Sequence, residues 1–252
     1  MNGRWLIRAL VVVMGAALAA GVAEDEPAEL LKPTETLESV ESQCAWRCRE
    51  HTSLTARMRL HKEMNSPQGE VTIEAIGEYQ HQRKGEKLMF RVELKNTVVT
   101  RSGGRESKVE QKVLTISDGQ FSYNMAEMGG QVINATKSLS QPAQTMLADE
   151  NFFKTLRTHY ELRLLPETKI DGQEVWVIEA RPRRPAPGGP AKTVHYLLKN
   201  GGIRLRSTDH DASGRRIQLT ELSAIKFDEQ IDPRRFIFTV PKDIKIMDLT
   251  GS

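Results

Sequence analysis

A mainly β, antiparallel fold with two helical segments is what the 252-residue sequence predicts, and three observations carry the prediction. Short stretches of strict apolar/polar alternation recur through most of the chain. Glycine-centred turns separate them at intervals of about 8–12 residues. Helical periodicity shows only at the start of the folded region and once near its middle. That order excludes alternating βα units and points to a sandwich or barrel.

In chain order, Glu24 to about Pro33 is acidic and proline-containing and reads as a linker. Thr34 or Thr36 can cap a helix running to about Glu50, with Leu37, Val40, Cys44 and Cys48 at helical spacing. Alternation then begins with "LTARMRL" and "EVTIEAIG". It is clearest in "KLMFRVELK", where Leu88, Phe90, Val92 and Leu94 share one face and Lys87, Arg91, Glu93 and Lys95 the other. "KVEQKVLTIS", "QFSYNM" and "GQVINA" follow, parted by Gly103-Gly104, Asp118-Gly119 and Gly129-Gly130. "SQPAQTMLADENFFKTLRTHYEL" then interrupts with one or two short helical pieces built on Met146, Leu147, Phe152, Phe153 and Leu156. Strands resume in "QEVWVIEARP", "KTVHYLLKN", "GIRLRSTDHD", "RRIQLTELS" and "RFIFTVP". The Pro/Gly run "RPRRPAPGGPAK" reads as a hairpin loop within one domain, and its Arg181, Arg183, Arg184 and Lys192 as solvated charges.

Composition bounds the function. A 38% hydrophobic and 27% charged chain is globular, not disordered. Arg4 and Arg8 precede an uncharged stretch of 15 residues, Ala9–Ala23, which closes on Gly21-Val22-Ala23 before Glu24-Asp25-Glu26. This is the layout of a cleaved export signal, and it is shorter than the roughly 20 residues a spanning helix needs. A retained anchor is the alternative. Expected organisation is therefore signal peptide 1–23, acidic linker 24–33 and one domain over 34–252. Cleavage near Ala23 removes two of the 36 basic residues and no acidic one, leaving a formal charge of +1. Such a balance provides no field for nucleic acid.

Several stretches together carry a family resemblance. "ISDGQFSYNM" looks like a strand–Asp-Gly–aromatic hairpin, "IDGQEVWVIEARP" like the strand pair after a central helix. The run from "IRLRSTDHD" to "FTVPKDIKIMD", with Ile231-Asp232 and Phe236–Pro241, looks like a closing meander. In this order they resemble the LolA/LolB-type outer-membrane lipoprotein carrier superfamily, over about Glu35 to Asp248. The resemblance implies a strongly curved, incompletely closed antiparallel β-barrel covered by lid helices. It implies an exported, periplasmic, monomeric binding protein for acyl chains of lipids or lipoproteins, without enzymatic activity or cofactor. An inner-membrane donor complex and an outer-membrane acceptor are the partners it implies. A sensor that detects lipid or lipoprotein and signals through a protein partner is the alternative on the same scaffold. The family places a basic residue on an early strand to hold the lid; Arg83, Lys84 and Arg91 are the candidates. No lipobox cysteine is present, which favours a soluble carrier over an anchored acceptor.

The residues agree on one point: Val175, Trp176, Val177 and Ile178 make both faces of one strand apolar. One face must meet core, the other a helix or a ligand. Candidate cavity residues are Leu88, Phe90, Val92, Leu94, Val175, Val177, Leu205, Leu219, Phe236 and Phe238, with Met146, Phe152 and Phe153 on the lid. Equally, these side chains can pack on the helices and leave no cavity.

The two cysteines, Cys44 and Cys48, stand i, i+4 on the first helix, with His51 next on that face. Their Cα atoms would be roughly 6 Å apart, so a disulfide is a candidate, though a strained one. Two free thiols packed as small hydrophobes and a soft-metal site with His51 and Met58 or His61 are the alternatives. Asp209-His210-Asp211 reads as a solvated turn, and Arg204, Arg206, Arg215, Arg216, Arg234 and Arg235 as the solvent side of a sheet. No nucleophile elbow, zinc-protease, P-loop or dinucleotide fingerprint occurs.

Overall fold

The computed structural model describes residues 35–66, 69–140, 146–242 and 244–250. The expected signal peptide and acidic linker lie outside the described residues, as do residues 141–145 of the central segment. A helix, α1 (Leu37–Glu50), leads into six strands: β1 (Ser53–Ser66), β2 (Gly69–Lys84), β3 (Lys87–Ser102), β4 (Arg105–Ser117), β5 (Phe121–Met128) and β6 (Gln131–Leu139). A second helix, α2 (Glu150–His159), precedes β7 (Tyr160–Ile170), β8 (Gln173–Pro182), β9 (Lys192–Leu198), β10 (Ile203–His210) and β11 (Arg216–Phe227). A 3-10 turn, Pro233–Phe236, and β12 (Met247–Asp248) complete the described elements.

All strands join one sheet in the order β12-β6-β5-β4-β3-β2-β1-β11-β10-β9-β8-β7. It is curled but not closed, an open barrel with the helices as its lid. Meander connections explain the order: each half is a run of hairpins, and β11 closes onto β1. Gly77, in the middle of β2, permits a sharp local approach. A Cβ there would lie 1.8 Å from the Glu93 carbonyl oxygen of β3, so a side chain would hold the strands apart where they pinch.

Helix α1 begins where expected, with the Thr36 side chain accepting from the Ser39 amide. Asp149 caps α2 in the same way through the Phe152 amide. The "RPRRPAPGGPAK" run is a hairpin loop between paired β8 and β9. Strand β7 is an element the sequence concealed. Pro166 removes an amide donor, which argues against a strand, but β7 is the edge of the sheet and its register shifts between Leu165 and Thr168. Edge strands with bulges are where proline is tolerated.

The expected last strand, "RFIFTVP", is not one. Asp232 caps a 3-10 turn opened by Pro233, and the chain then runs irregularly to β12, which pairs parallel to β6. This C-terminal strap lies across β2–β5. Arg235 donates to Gln80 of β2, Arg91 of β3 donates to the Arg235 carbonyl, and Phe238 stacks on Tyr123 of β5 with ring centres 5.0 Å apart.

Candidate functional site

Alternation gives β1–β6 two faces of opposite character. On one, the register aligns Leu54, His81, Phe90, Ser117, Ser122 and Ser138, and in the next row Ala56, Tyr79, Val92, Thr115, Asn124 and Thr136. Two further rows add Met58, Gly77, Leu94, Val113, Ala126 and Asn134, then Leu60, Ala75, Asn96, Gln111 and Met128. These four rows hold no Asp, Glu, Lys or Arg. The other face carries Glu78, Arg91, Glu93, Lys95, Lys112, Glu127 and Lys137, and the strap crosses it.

The lid contacts the uncharged face. Met146 and Leu147 pack in one buried cluster with Leu54, Ala56, Tyr79, Val175, Val177, Leu198, Leu205 and Leu222. The Met146 amide donates to the Tyr79 hydroxyl at 3.1 Å. Leu147 bridges Ile203 as a one-residue extension of the sheet, with Arg204 N donating to Met146 O and Ala148 N to Gly202 O. These bonds satisfy backbone groups that the lid removes from water, as burial requires. Leu60, Leu94 and Val113 of the same face stay half-buried beyond the cluster, and Val92 is half-buried at its margin.

The helices cover the side of β8 and β9 opposite Val175 and Val177, the side that continues the uncharged rows through Thr220, Ser207 and His195. Val40 and Cys44 of α1 and Phe153 of α2 pack against Trp176, Ile178 and Leu197. Strand β8 therefore meets core on one face and lid helices on the other, as its apolar run requires. Glu35 latches α1 down: its carboxylate accepts from Trp176 Nε1 at 3.0 Å and from Ser39 and Gln43, with Lys199 at 3.7 Å. Arg157 ties α2 to Glu41 of α1 at 2.8 Å, and Arg49 pairs with Glu150.

Where α1 crosses the β9–β10 turn, only glycine fits. Gly202 has φ +59°, and a Cβ would lie 2.4 Å from the Cys44 carbonyl oxygen and 2.8 Å from the Cys48 amide nitrogen. The expected disulfide is absent: both cysteines are buried free thiols. The reason is packing. Cys48 Sγ donates to the Gly202 carbonyl at 2.6 Å and belongs to the cluster around Met146, while Cys44 belongs to the one around Trp176. Burial pushes both thiols up, Cys48 to about 12, so neither is a nucleophile at neutral pH. His51 stacks on Phe227 and bonds Asp228 at 2.8 Å. Among the described residues no three His, Cys, Asp or Glu side chains converge as a metal site.

Other expected residues separate by face. Val175, Val177, Leu205 and Met146 sit in the cluster behind the lid, with Leu88 and Val92 packed at its margin. Phe90 is fully buried on the uncharged face, beside His81 and Ser117. Phe153 and Phe152 belong to the lid-helix cluster. Three residues take the wrong phase. Leu219 pairs with His61 and stands three residues from Leu222, so it lies on the reverse of the uncharged rows. Phe236 and Phe238 ride on the strap over the charged face; the strand assumed for them does not form.

Two buried histidines went unnoticed in the sequence. His195, on β9, meets the Phe152 ring edge-on at 5.3 Å, and His81 meets Tyr79 edge-on at 5.8 Å. Burial lowers each to about 3 and keeps it neutral, with Arg204 adding to the effect at His195 and Arg83 and His51 at His81. Lone histidines on otherwise ordinary strands gave no signal. The arginine touching the lid also differs from expectation. It is Arg204 of β10, beside Met146 Sδ at 3.8 Å and over the Phe152 ring at 5.2 Å. Arg91 instead serves the strap and Glu93. Arg206, Arg215, Arg234 and Arg235 are paired with Glu221, Glu63, Asp232 and Glu78, as a solvated sheet surface would be. His210 bonds Gly214 O and Thr208 within its turn.

No family model and no curated protein matches the sequence. Solved structures similar to it include an uncharacterized conserved protein from Thermus thermophilus (14% identity, 85% of this chain and 99% of that one, TM-score 0.47). MucB in its Pseudomonas aeruginosa complex with MucA is another (15%, 80% and 60%, TM-score 0.44). A third is a LolA superfamily protein from Nitrosomonas europaea (13%, 81% and 98%, TM-score 0.29). The chain spans about three fifths of the MucB chain it matches.

Proposed function

We propose that this protein is an exported carrier that takes up acyl chains of lipids or lipoproteins on the uncharged face of its curled sheet, beneath the lid. The observation that carries the reading is that face: four consecutive rows without a formal charge, with Leu60, Val92, Leu94 and Val113 only half-buried. A free apolar surface of that kind is a liability unless something covers it. Each methylene of a bound chain contributes about 0.8 kcal/mol, so ten of them suffice for micromolar affinity before ordering terms. Reversible burial requires no covalent chemistry: loading and release need a partner offering a slightly better or worse apolar site.

The test is uptake of a fluorescent fatty-acyl probe by the chain produced with its N-terminal segment intact. Wild type is expected to bind it, and Leu94→Glu with Val113→Glu to lose at least tenfold in affinity while keeping its melting transition. No uptake by wild type sinks the reading. Recovery of one protein partner without bound lipid would turn it toward a sensor.

A further inference from the structure

Within the uncharged face the chemistry changes from strand to strand. On β1–β3 the first three rows are aliphatic or aromatic apart from His81 and Gly77. On β4–β6 the first two rows are hydroxyls and carboxamides only: Ser117, Thr115, Ser122, Asn124, Thr136 and Ser138. Thr115 Oγ1 donates to Asn124 Oδ1 at 2.8 Å. Among the described residues, Ser122 Oγ is buried with no hydrogen-bond partner, and so is Asn96 Oδ1 at the boundary between the two halves. Alternation alone does not demand this pattern. The same strands carry Lys112, Glu127 and Lys137 one position away on the reverse side, so charge is withheld from one face only.

Ser117 has a local role, its hydroxyl accepting from the Gly119 amide and bonding Ser140, but turn bonding of that kind does not account for the pattern as a whole. A surface meant only for solvent would tolerate lysine and glutamate, and one meant only for core would be aliphatic. Unpartnered buried hydroxyl and carboxamide oxygens are disfavoured unless a further group completes them. An anionic head brought onto β4–β6 would lose hydration with no Lys or Arg in the four rows to replace it; Arg204, the cation beside Met146, belongs to β10, five strands along the sheet from β4. A head that donates and accepts without charge exchanges water bonds for protein bonds at little net cost.

Building on the acyl-chain reading, we infer that the ligand is an amphiphile with an uncharged polyhydroxyl head, a glycosyl diacylglycerol in chemical class, its chains on β1–β3 and its head on β4–β6. The face selects against phospholipids bearing net negative charge.

The experiment displaces the fluorescent acyl probe from the full chain with three lipids of identical acyl chains: a monoglucosyl diacylglycerol, a phosphatidylglycerol and plain diacylglycerol. The glucosyl lipid is expected to bind at least about tenfold more tightly than phosphatidylglycerol, a difference of about 1.4 kcal/mol. Thr115→Val with Asn124→Leu should bring it down to the level of diacylglycerol and leave diacylglycerol itself unchanged. Thr136→Lys, a solvent-tolerant change that keeps the fold if the double variant does not, should raise phosphatidylglycerol affinity several-fold. Equal or tighter binding of phosphatidylglycerol to wild type overturns the head-group assignment and leaves the carrier reading standing. Failure of all three lipids to displace a probe that does bind also overturns it, whereas failure of the probe itself is the failure of the carrier reading.

Discussion

Replacing Gly77 by alanine separates local propensity from tertiary geometry. Glycine in a strand interior is destabilising by about 0.5–1 kcal/mol relative to alanine, so propensity predicts that Gly77→Ala raises stability. The structure predicts the opposite sign. The new Cβ would stand 1.8 Å from Glu93 O, 2.8 Å from Glu93 C and 2.9 Å from Leu94 Cα, all of them backbone atoms. Relief to van der Waals distance, about 3.5 Å, needs β2 and β3 to part by more than an ångström. The hydrogen bonds of the paired residues on either side would stretch with them. Overpacking of that degree costs about 3 kcal/mol, less the propensity gain of under 1 kcal/mol. Net destabilisation of about 2 kcal/mol lowers the melting temperature by about 4–8 °C in a domain of this size. Thermal unfolding followed by far-ultraviolet circular dichroism measures it. A melting temperature equal to or above wild type would refute the pinch at Gly77.

Acid should loosen the lid. His81 and His195 have folded-state values near 3 against about 6.5 unfolded, so their contribution is intact above pH 6.5 and is lost as pH falls from there toward 3. By pH 5 each imidazole lowers stability by about 2 kcal/mol, and His195→Leu should flatten the fall in melting temperature between pH 6.5 and 5; an unchanged slope would exonerate His195. Glu35→Ala removes the acceptor of Trp176 Nε1 and the partner of Lys199, a loss of about 1–3 kcal/mol from the docking of α1. Trp176 is 1% exposed and Trp46 53%, so detachment of α1 should red-shift tryptophan emission. Emission identical to wild type would mean that Glu35 is no latch.

Much of the fold was legible because its signals are local. The Thr36 cap, the cysteine-bearing stripe of α1 and the period-two alternation of β1–β6 depend on neighbours within one turn or one strand. Errors arose where distant contacts overrode those signals. Pro166 argues against a strand until β7 is known to be an edge. Phe236 and Phe238 alternate like a strand, but Asp232 and Pro233 turn the chain, and the pair across β5 falls to the strap. Leu219 looks as apolar as Leu222, and only the pairing with β1 tells their faces apart. The cysteine spacing allowed a disulfide, a metal site or packing; the crossing of α1 over Gly202 chose packing by giving each thiol a different cluster.

The amino-acid pattern was thus sufficient for a curved antiparallel sheet with helices on it, since alternation, turns and caps are properties of short segments. It could not say which of two apolar faces on β8 belonged to the lid, or that β1–β6 would line up four rows free of charge. Those are facts of register between strands far apart in sequence, fixed by hairpin geometry and by close approaches such as Gly77 to Glu93. The candidate binding face exists only once six strands are laid side by side.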